Sequence, residues 1–206
     1  SIQINKLFYE RLLSGQDITL FSPHEVPEVY DAFYSGDNDL FKDVYEKAER
    51  MTSIRKKSIP AIELFSNFVQ ERKDTGRIYL MNVDHANTHG AFVEEVAPIR
   101  QSNLCCEIVE YSDDKETAVC NLASIALSSF VDDEGRMDYN KLHQVTKIVT
   151  ENLNRVIDIN YYPNKETRRS NMKHRPVGLG IQGLADALVQ LRIPFDSDAA
   201  LELNAH

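Results

Sequence analysis

Thr75-Gly76-Arg77-Ile78-Tyr79-Leu80-Met81-Asn82-Val83 decides the fold class of this chain. Upstream of it, Pro60 opens a stretch in which Ile62, Phe65 and Val69 share one helical stripe, with Leu64 and Phe68 beside them, and Gly76 stands where a left-handed cap closes a helix. Arg77 to Val83 is then short, apolar and β-prone, as a buried strand is. A helix feeding a buried strand is an α/β step. Toward the N-terminus, Ile4 to Leu13 carries apolar residues at helical spacing as far as Ser14-Gly15. Pro23 and Pro27 frame a short helix through Tyr30 and Phe33, Gly36 to Asp39 reads as a loop, and Leu40, Val44 and Tyr45 mark another helix. Toward the C-terminus come a polar loop from Asp84 to His89, strand character at Ile108 to Tyr111, a turn at Ser112 to Lys115 and a return of apolar residues from Ala118 to Leu127. Asp138 is placed to cap a long helix whose stripe, from Leu142 to Ile157, reads as core. A basic loop follows, and Pro176 to Gly183 leads into a last helix, Leu184 to Leu191, which Pro194 stops. The expected layout is a single segment: helical over 1–75, strands and a loop over 77–127, helix-rich over 138–206.

The chain is acidic, with a formal net charge of -9, so it repels a polyanion unless one face is locally basic. Its densest basic run, Arg168-Arg169 to Lys173-His174-Arg175, reads as solvated surface, and no nucleic acid is expected as a partner. No stretch approaches the roughly 18 apolar residues that cross a bilayer, and Ser1 onward is neither a signal nor a transit peptide, so a cytoplasmic protein without membrane contact is expected. Three cysteines, an odd and low number, argue against a secreted disulfide framework.

All three lie in one short region: Cys105 and Cys106 in Asn103-Leu104-Cys105-Cys106-Glu107, and Cys120 in Ala118-Val119-Cys120-Asn121-Leu122-Ala123-Ser124. An amide, a thiol and a carboxylate within five residues can bind a hydroxyl, carry redox or radical chemistry and move a proton. Positions 103, 105 and 107 alternate, and an extended segment points alternate side chains the same way. Against this stands the ordinary fate of free thiols, which is burial in the core.

Two other patterns compete. His85-Ala86-Asn87-Thr88-His89 sets two imidazoles four apart, which share a face if helical. The loop-like setting, and the lack of a thiol pair at structural-zinc spacing, leave no metal site expected. Gly178-x-Gly180-x-x-Gly183 has the form of a dinucleotide fingerprint, but Asn171-Met172-Lys173-His174-Arg175-Pro176 before it is not a hydrophobic strand. It reads instead as a strand entering a helix, with glycines permitting close packing and no nicotinamide cofactor.

Ser102-Asn103-Leu104-Cys105-x-Glu107, Ala118-Val119-Cys120-Asn121-Leu122-Ala123-Ser124 and His174-Arg175-Pro176-Val177-Gly178-Leu179-Gly180-Ile181-Gln182-Gly183-Leu184-Ala185-Asp186 together resemble the large, catalytic subunit of class I ribonucleotide reductase. Ile4 to Arg11, Thr75 to Tyr79 and Asn82 to His85 resemble the same family, so the resemblance covers essentially the whole chain.

The resemblance implies an α/β fold that is part of the family's ten-stranded α/β barrel. A finger loop carries the radical cysteine, and a helical portion precedes it. It implies that Cys105 becomes a transient thiyl radical, Glu107 acts as general base on the ribose 3′ hydroxyl, and Asn103 holds the ribose hydroxyls. Leu104 and Cys106 line the substrate site through their backbone, and Cys106 has no redox role. Cys120 resembles one member of the dithiol that delivers the reducing equivalents, its partner lying outside this chain. The resemblance further implies a ribonucleoside diphosphate substrate, the remaining large-subunit segments and a small radical-generating subunit as partners, and re-reduction by thioredoxin or glutaredoxin through a C-terminus this chain lacks. The metal and tyrosyl radical belong to the small subunit and the ATP or dNTP effectors bind elsewhere, so no cofactor is expected on this chain. The expectation is therefore a central slice of the large subunit, inactive alone.

Overall fold

The computed structural model describes residues 1–206, which divide into two compact units, Ser1–Asp114 and Lys115–His206. The first contains β1 (Ile2–Ile4), α1 (Lys6–Ser14), β2 (Asp17–Phe21), α2 (Pro27–Phe33), α3 (Asn38–Arg50), β3 (Lys56–Pro60), α4 (Ala61–Thr75), β4 (Leu80–Asn82) and α5 (Val83–Thr88). The second contains β5 (Leu122–Ala126), a 3-10 turn (Leu127–Phe130), α6 (Tyr139–Ile159), α7 (Lys165–His174), β6 (Gly178–Gln182), α8 (Leu184–Leu191) and α9 (Asp198–Ala205). The mixed α/β class is as expected. Its strands form three two-stranded sheets, β1 parallel to β4, β2 antiparallel to β3 and β5 parallel to β6, and these do not themselves close a barrel.

Local chemistry sets the element ends of the first unit. Asn5 opens α1 by accepting the Phe8 N–H at 3.4 Å, and Gly15 closes it at φ 68°, a left-handed conformation that a Cβ strains. Gly76 closes α4 in the same way, as the sequence predicts. Ile4, expected inside the first helix, instead ends β1, which lies alongside Leu80 to Asn82. The stretch expected to be helical through residue 75 also contains β2 and β3, paired from Asp17 beside Pro60 to Phe21 beside Lys56. These strands are five residues each between helices, too short for a period of two to stand out from the helical pattern around them. Asp84 to His89, expected to be a loop, lies largely in α5.

Ile4, Leu7, Phe8, Ile18, Phe41 and Tyr45 are the main residues of this unit's core. A polar knot is set into it. The Tyr45 hydroxyl accepts the Thr19 N–H and donates to the Thr19 carbonyl, both at 2.6 Å, so one side chain satisfies both backbone groups of a β2 residue. Arg11 grips Glu49 with two bonds of 2.6 Å, and Thr19 Oγ1 donates to the same carboxylate at 2.7 Å. Burial pushes the Tyr45 hydroxyl up to about 12. Burial also pulls the Glu49 carboxyl up, but the hydrogen bonds from Arg11 and Thr19 outweigh it and hold the group below its ordinary value.

In the second unit Asp138 caps α6 as expected, accepting the Lys141 N–H at 2.9 Å. Only Leu153 and Ile157 of the stripe on that helix are buried, and Ile148 and Val156 are exposed, so its reading as continuous core is corrected. The region expected to be a basic loop contains α7, opened by Asn164, which accepts the Thr167 N–H at 2.9 Å. The basic run there is more than solvated surface. Lys173 and His174 reach the buried Glu116 carboxylate at 2.9 and 3.1 Å, and Arg175 pairs with Asp158 at 2.8 Å. A further helix, α9, lies beyond the one expected to be last.

Candidate active site

Met81, Val83 and Ile99 form a small buried cluster against which Cys106, Val109 and Tyr111 pack. Asn87, buried on α5, clamps its edge. Its Nδ2 donates to the carbonyls of Val83 and Ile99 at 3.0 Å each, and the Ile99 N–H donates back to Oδ1 at 2.6 Å. A loop rises from this base. The Asn103 N–H donates to the Ile108 carbonyl at 3.2 Å and the Ile108 N–H to Asn103 Oδ1 at 3.1 Å, closing the neck. The Cys106 N–H donates to the Asn103 carbonyl at 3.2 Å, which makes Leu104 and Cys105 the central pair of a turn. Cys106 leaves that turn in the left-handed region, at φ 65°. Leu104, Cys105 and Glu107 are exposed at the tip, and Cys106 is half-buried.

The structure thus gathers Asn103, Leu104, Cys105, Cys106 and Glu107 into one loop, though not as the alternation predicts. A turn followed by a left-handed residue breaks the period of two, so 103, 105 and 107 do not form an extended stripe. Ile108 to Tyr111, expected to be a strand, is irregular, because Ile108 commits its N–H and C=O across the loop to Asn103. The same bond engages the Asn103 carbonyl oxygen and leaves its amide nitrogen for a ligand.

Two residues here escape the sequence reading. The Ser102 hydroxyl lies 2.9 Å from the Asn103 carbonyl and 3.3 Å from Cys106 Sγ, and its one proton serves one acceptor at a time. Its signal is its place at the head of Ser102-Asn103-Leu104-Cys105-x-Glu107, where the sequence reading gave it no role. Glu110 is half-buried, and burial pushes its carboxyl up.

Cys120 belongs to the second unit, where it is exposed on the run leading into β5. Cys120, Leu122 and Ser124 are exposed, whereas Asn121 and Ile125 are buried, the alternation of an extended chain with one covered face. Asn121 anchors this run. Its Nδ2 donates to Asn171 Oδ1 and to the Pro176 carbonyl, both at 2.9 Å, and its own carbonyl accepts the Gly178 N–H at 2.9 Å. Asn171, with 0% of its surface exposed, donates to the Tyr162 hydroxyl at 2.7 Å, and that hydroxyl donates to the Ile157 carbonyl at 2.7 Å. The sequence signal for this network is Asn121 itself, a polar residue between Cys120 and an apolar run.

The two competing motifs resolve differently. His85 and His89 do share an exposed helical face, their ring centroids 5.4 Å apart, but no group of three potential metal ligands includes them. Gly178 and Gly180 lie inside β6 rather than in a turn after a strand, so their N–H groups belong to strand geometry and not to a phosphate cradle. A Cβ on Gly178 would sit 2.6 Å from Leu122 Cδ2, the tip of an exposed side chain that would have to swing aside, while Gly180 faces open space.

Comparison with known proteins shows the family. The family described as "Ribonucleotide reductase, barrel domain" matches residues 1–206. The ribonucleoside-diphosphate reductase large chain of Schizosaccharomyces pombe is 46% identical over 204 residues, covering 99% of this chain and 24% of that protein. The large chain of Neurospora crassa is 45% identical over 205 residues (99% and 21%), and the large subunit of Caenorhabditis elegans 43% over 204 residues (99% and 25%). The chain therefore spans about a quarter of the length of the curated relatives it matches.

Proposed function

Because this chain belongs to the ribonucleotide reductase barrel-domain family, we propose that it is the radical-loop segment of a ribonucleoside-diphosphate reductase large subunit, which makes deoxyribonucleotides for DNA synthesis. The observation that carries the reading is the loop tip, where an exposed thiol is held on a turn between an amide and a carboxylate. Cys105, as a thiyl radical, abstracts the hydrogen from the ribose 3′ carbon. Sulfur suits that step because the abstraction remains reversible. Glu107 accepts the proton of the 3′ hydroxyl, and the Asn103 amide nitrogen donates to a ribose hydroxyl while its oxygen keeps the loop closed. Backbone of Leu104 and Cys106 lines the sugar.

As the 2′ hydroxyl leaves as water, Cys120 and a thiol outside this chain give up two electrons and two protons, one hydrogen completing the water and the other going to the 2′ carbon, and close to a disulfide, and Cys105 returns its hydrogen to the 3′ carbon. The radical arrives from a small subunit, effectors of the ATP and dNTP class bind outside this chain, and thioredoxin or glutaredoxin restores the dithiol through another segment. No helix is long and apolar enough to cross a membrane, and a cytoplasmic setting suits reduced thiols.

The test is reduction of a ribonucleoside diphosphate by this chain reconstituted with the flanking large-subunit segments and the small subunit. Native Cys105 is expected to give turnover and Cys105→Ser none, with the isolated chain inactive in both forms. Equal turnover with and without the Cys105 thiol would overturn the radical assignment.

A further inference from the structure

At the loop tip Leu104, Cys105 and Glu107 are exposed, and among these neighbours Cys106 alone is covered. Its side chain packs on the cluster of Met81, Val83 and Ile99, and Met81 lies within β4. Ser102 adds a second hold whenever its hydroxyl, 3.3 Å from Cys106 Sγ, donates there rather than to the Asn103 carbonyl. The backbone of the same residue is left-handed, at φ 65°, a conformation that strains a Cβ and that glycine adopts freely. A strained conformation persists only where its surroundings impose it, and such positions gather at functional sites. We propose that Cys106 is the positioning residue of this loop: its side chain, seated on the apolar base, holds residue 106 left-handed and so fixes where Cys105 stands.

The bonds from Cys106 and Ile108 to Asn103 close the turn and the neck, and the backbone angles at residue 106 set the direction in which the tip leaves that neck. An apolar side chain pinned to a packed base fixes those angles, because swinging it out wets the sulfur and strips contacts from the cluster beneath. Cysteine suits the place. It is compact, it behaves as a small apolar group, and it lacks the branch at Cβ that the left-handed region disfavours. The two neighbouring cysteines thus take opposite parts, Cys105 outward and Cys106 inward. Nothing is asked of the Cys106 sulfur beyond its size and apolarity, so no redox step passes through it. The consequence for turnover rests on the radical-carrier reading of Cys105. The anchoring itself does not.

Glycine separates the side chain from the backbone it holds. If residue 106 is only a strained turn position, Cys106→Gly relaxes it and tightens the loop. If the side chain is the anchor, the same change frees the tip. Amide hydrogen exchange is measured on the whole chain, corrected for intrinsic rates, at residue 106 and at Ile108, whose N–H groups both bond to Asn103. Exchange at both is expected to be about tenfold faster in Cys106→Gly, with the Thr19 N–H in the core of this unit unchanged. Cys106→Met, which has no thiol but an apolar and adaptable side chain, is expected to recover most of the protection. A glycine variant as protected as the native chain, a methionine variant as loose as the glycine one, or an equal rise at Thr19 would overturn the proposal.

A separate arm uses the reconstituted enzyme described above. Cys106→Gly is expected to lower kcat by about ten- to a hundredfold with a smaller change in KM, since a displacement of about 1 Å at a reacting atom suffices for such a loss, and Cys106→Met is expected to restore most of it. A loosened loop with undiminished turnover would leave the anchor standing and sink the radical-carrier reading instead.

Discussion

Asn171→Ala is the sharpest test of how the second unit holds its thiol. The side chain has no exposed surface and makes three hydrogen bonds: it accepts from Asn121 at 2.9 Å, donates to the Tyr162 hydroxyl at 2.7 Å, and donates back to Asn121 Oδ1 at 3.4 Å. Truncation removes two good bonds of about 1 kcal/mol each and leaves the buried Asn121 oxygen without a donor, which costs about 1–3 kcal/mol more. Asn121 Nδ2 keeps Pro176 and Tyr162 keeps Ile157, so the damage stops there. The substitution also lies within α7, where alanine is the better helix former and returns about 0.5 kcal/mol. The net expectation is a loss of about 2.5–4.5 kcal/mol, a large part of a typical domain's stability. Urea unfolding followed by circular dichroism reads the loss. Hydrogen exchange at Gly178, whose N–H is held by the Asn121 carbonyl, locates it. Asn140→Ala, at an exposed position, is the control and should stay within about 0.5 kcal/mol of the native chain. If Asn171→Ala is no worse than that control, with Gly178 protection unchanged, the network does not anchor the Cys120 run.

Tyr45→Phe strips the partner from both backbone groups of Thr19 and is expected to lower stability by about 1–3 kcal/mol in the same urea assay. Because the folded-state value is raised from 10.0 to about 12, the native chain should keep this contribution below pH 10 and lose it as pH rises toward 12; Tyr45→Phe should lack that part of the slope. Glu49 gives the opposite sign. Its carboxyl is lowered, so its contribution is present above the ordinary carboxylate range and fades as pH falls through the folded value, and an acid titration of Glu49→Gln should be flatter. Gly183→Ala, at φ 71° where β6 enters α8, is expected to cost about 1 kcal/mol, whereas Gly180→Ala, in open space, should cost less. Asn103→Asp keeps an oxygen for the Ile108 N–H but loses the amide donor and adds a charge beside Cys105. The loop should stay closed by hydrogen exchange while iodoacetamide alkylates Cys105 more slowly; unchanged alkylation would show that the charge does not reach the thiol.

The sequence was most legible where one local signal decides the outcome. Gly76 needs a left-handed cap, Asp138 offers an oxygen to the first turn of α6, and both do what their chemistry dictates. Asn103 to Glu107, marked by two adjacent thiols, do lie together in one loop, whereas the third thiol, Cys120, belongs to the other unit. What stayed hidden depends on partners distant in sequence. Ile2 to Ile4 is a strand because Leu80 to Asn82 lies beside it, and nothing within Ser1 to Asn5 announces that pairing. Lys56 to Pro60 pairs with Asp17 to Phe21 across two helices. The internal geometry of the loop failed for a different reason. The period-of-two argument presumes extended backbone, and the bonds from Cys106 and Ile108 to Asn103 replace it with a turn. Asn171 was invisible for the same reason as β1, since its role exists only once Asn121 and Tyr162 are brought to it.

Both thiol-bearing segments are held from beneath by asparagines, and the physical chemistry of the amide explains why. An irregular or edge segment leaves backbone N–H and C=O groups unpaired, and burying either without a partner is unfavourable. An amide side chain offers a donor and an acceptor at once, so Asn87 satisfies two carbonyls and an N–H at the base of the loop, and Asn121 and Asn171 satisfy each other, Pro176 and Tyr162 behind Cys120. A carboxylate in these places accepts but does not donate, and its charge opposes ionisation of a nearby thiol. A lysine donates but does not accept. The neutral amide fixes the backbone and adds no charge to the ground on which the thiols stand. In this arrangement the amides that satisfy the backbone also decide where the thiols stand.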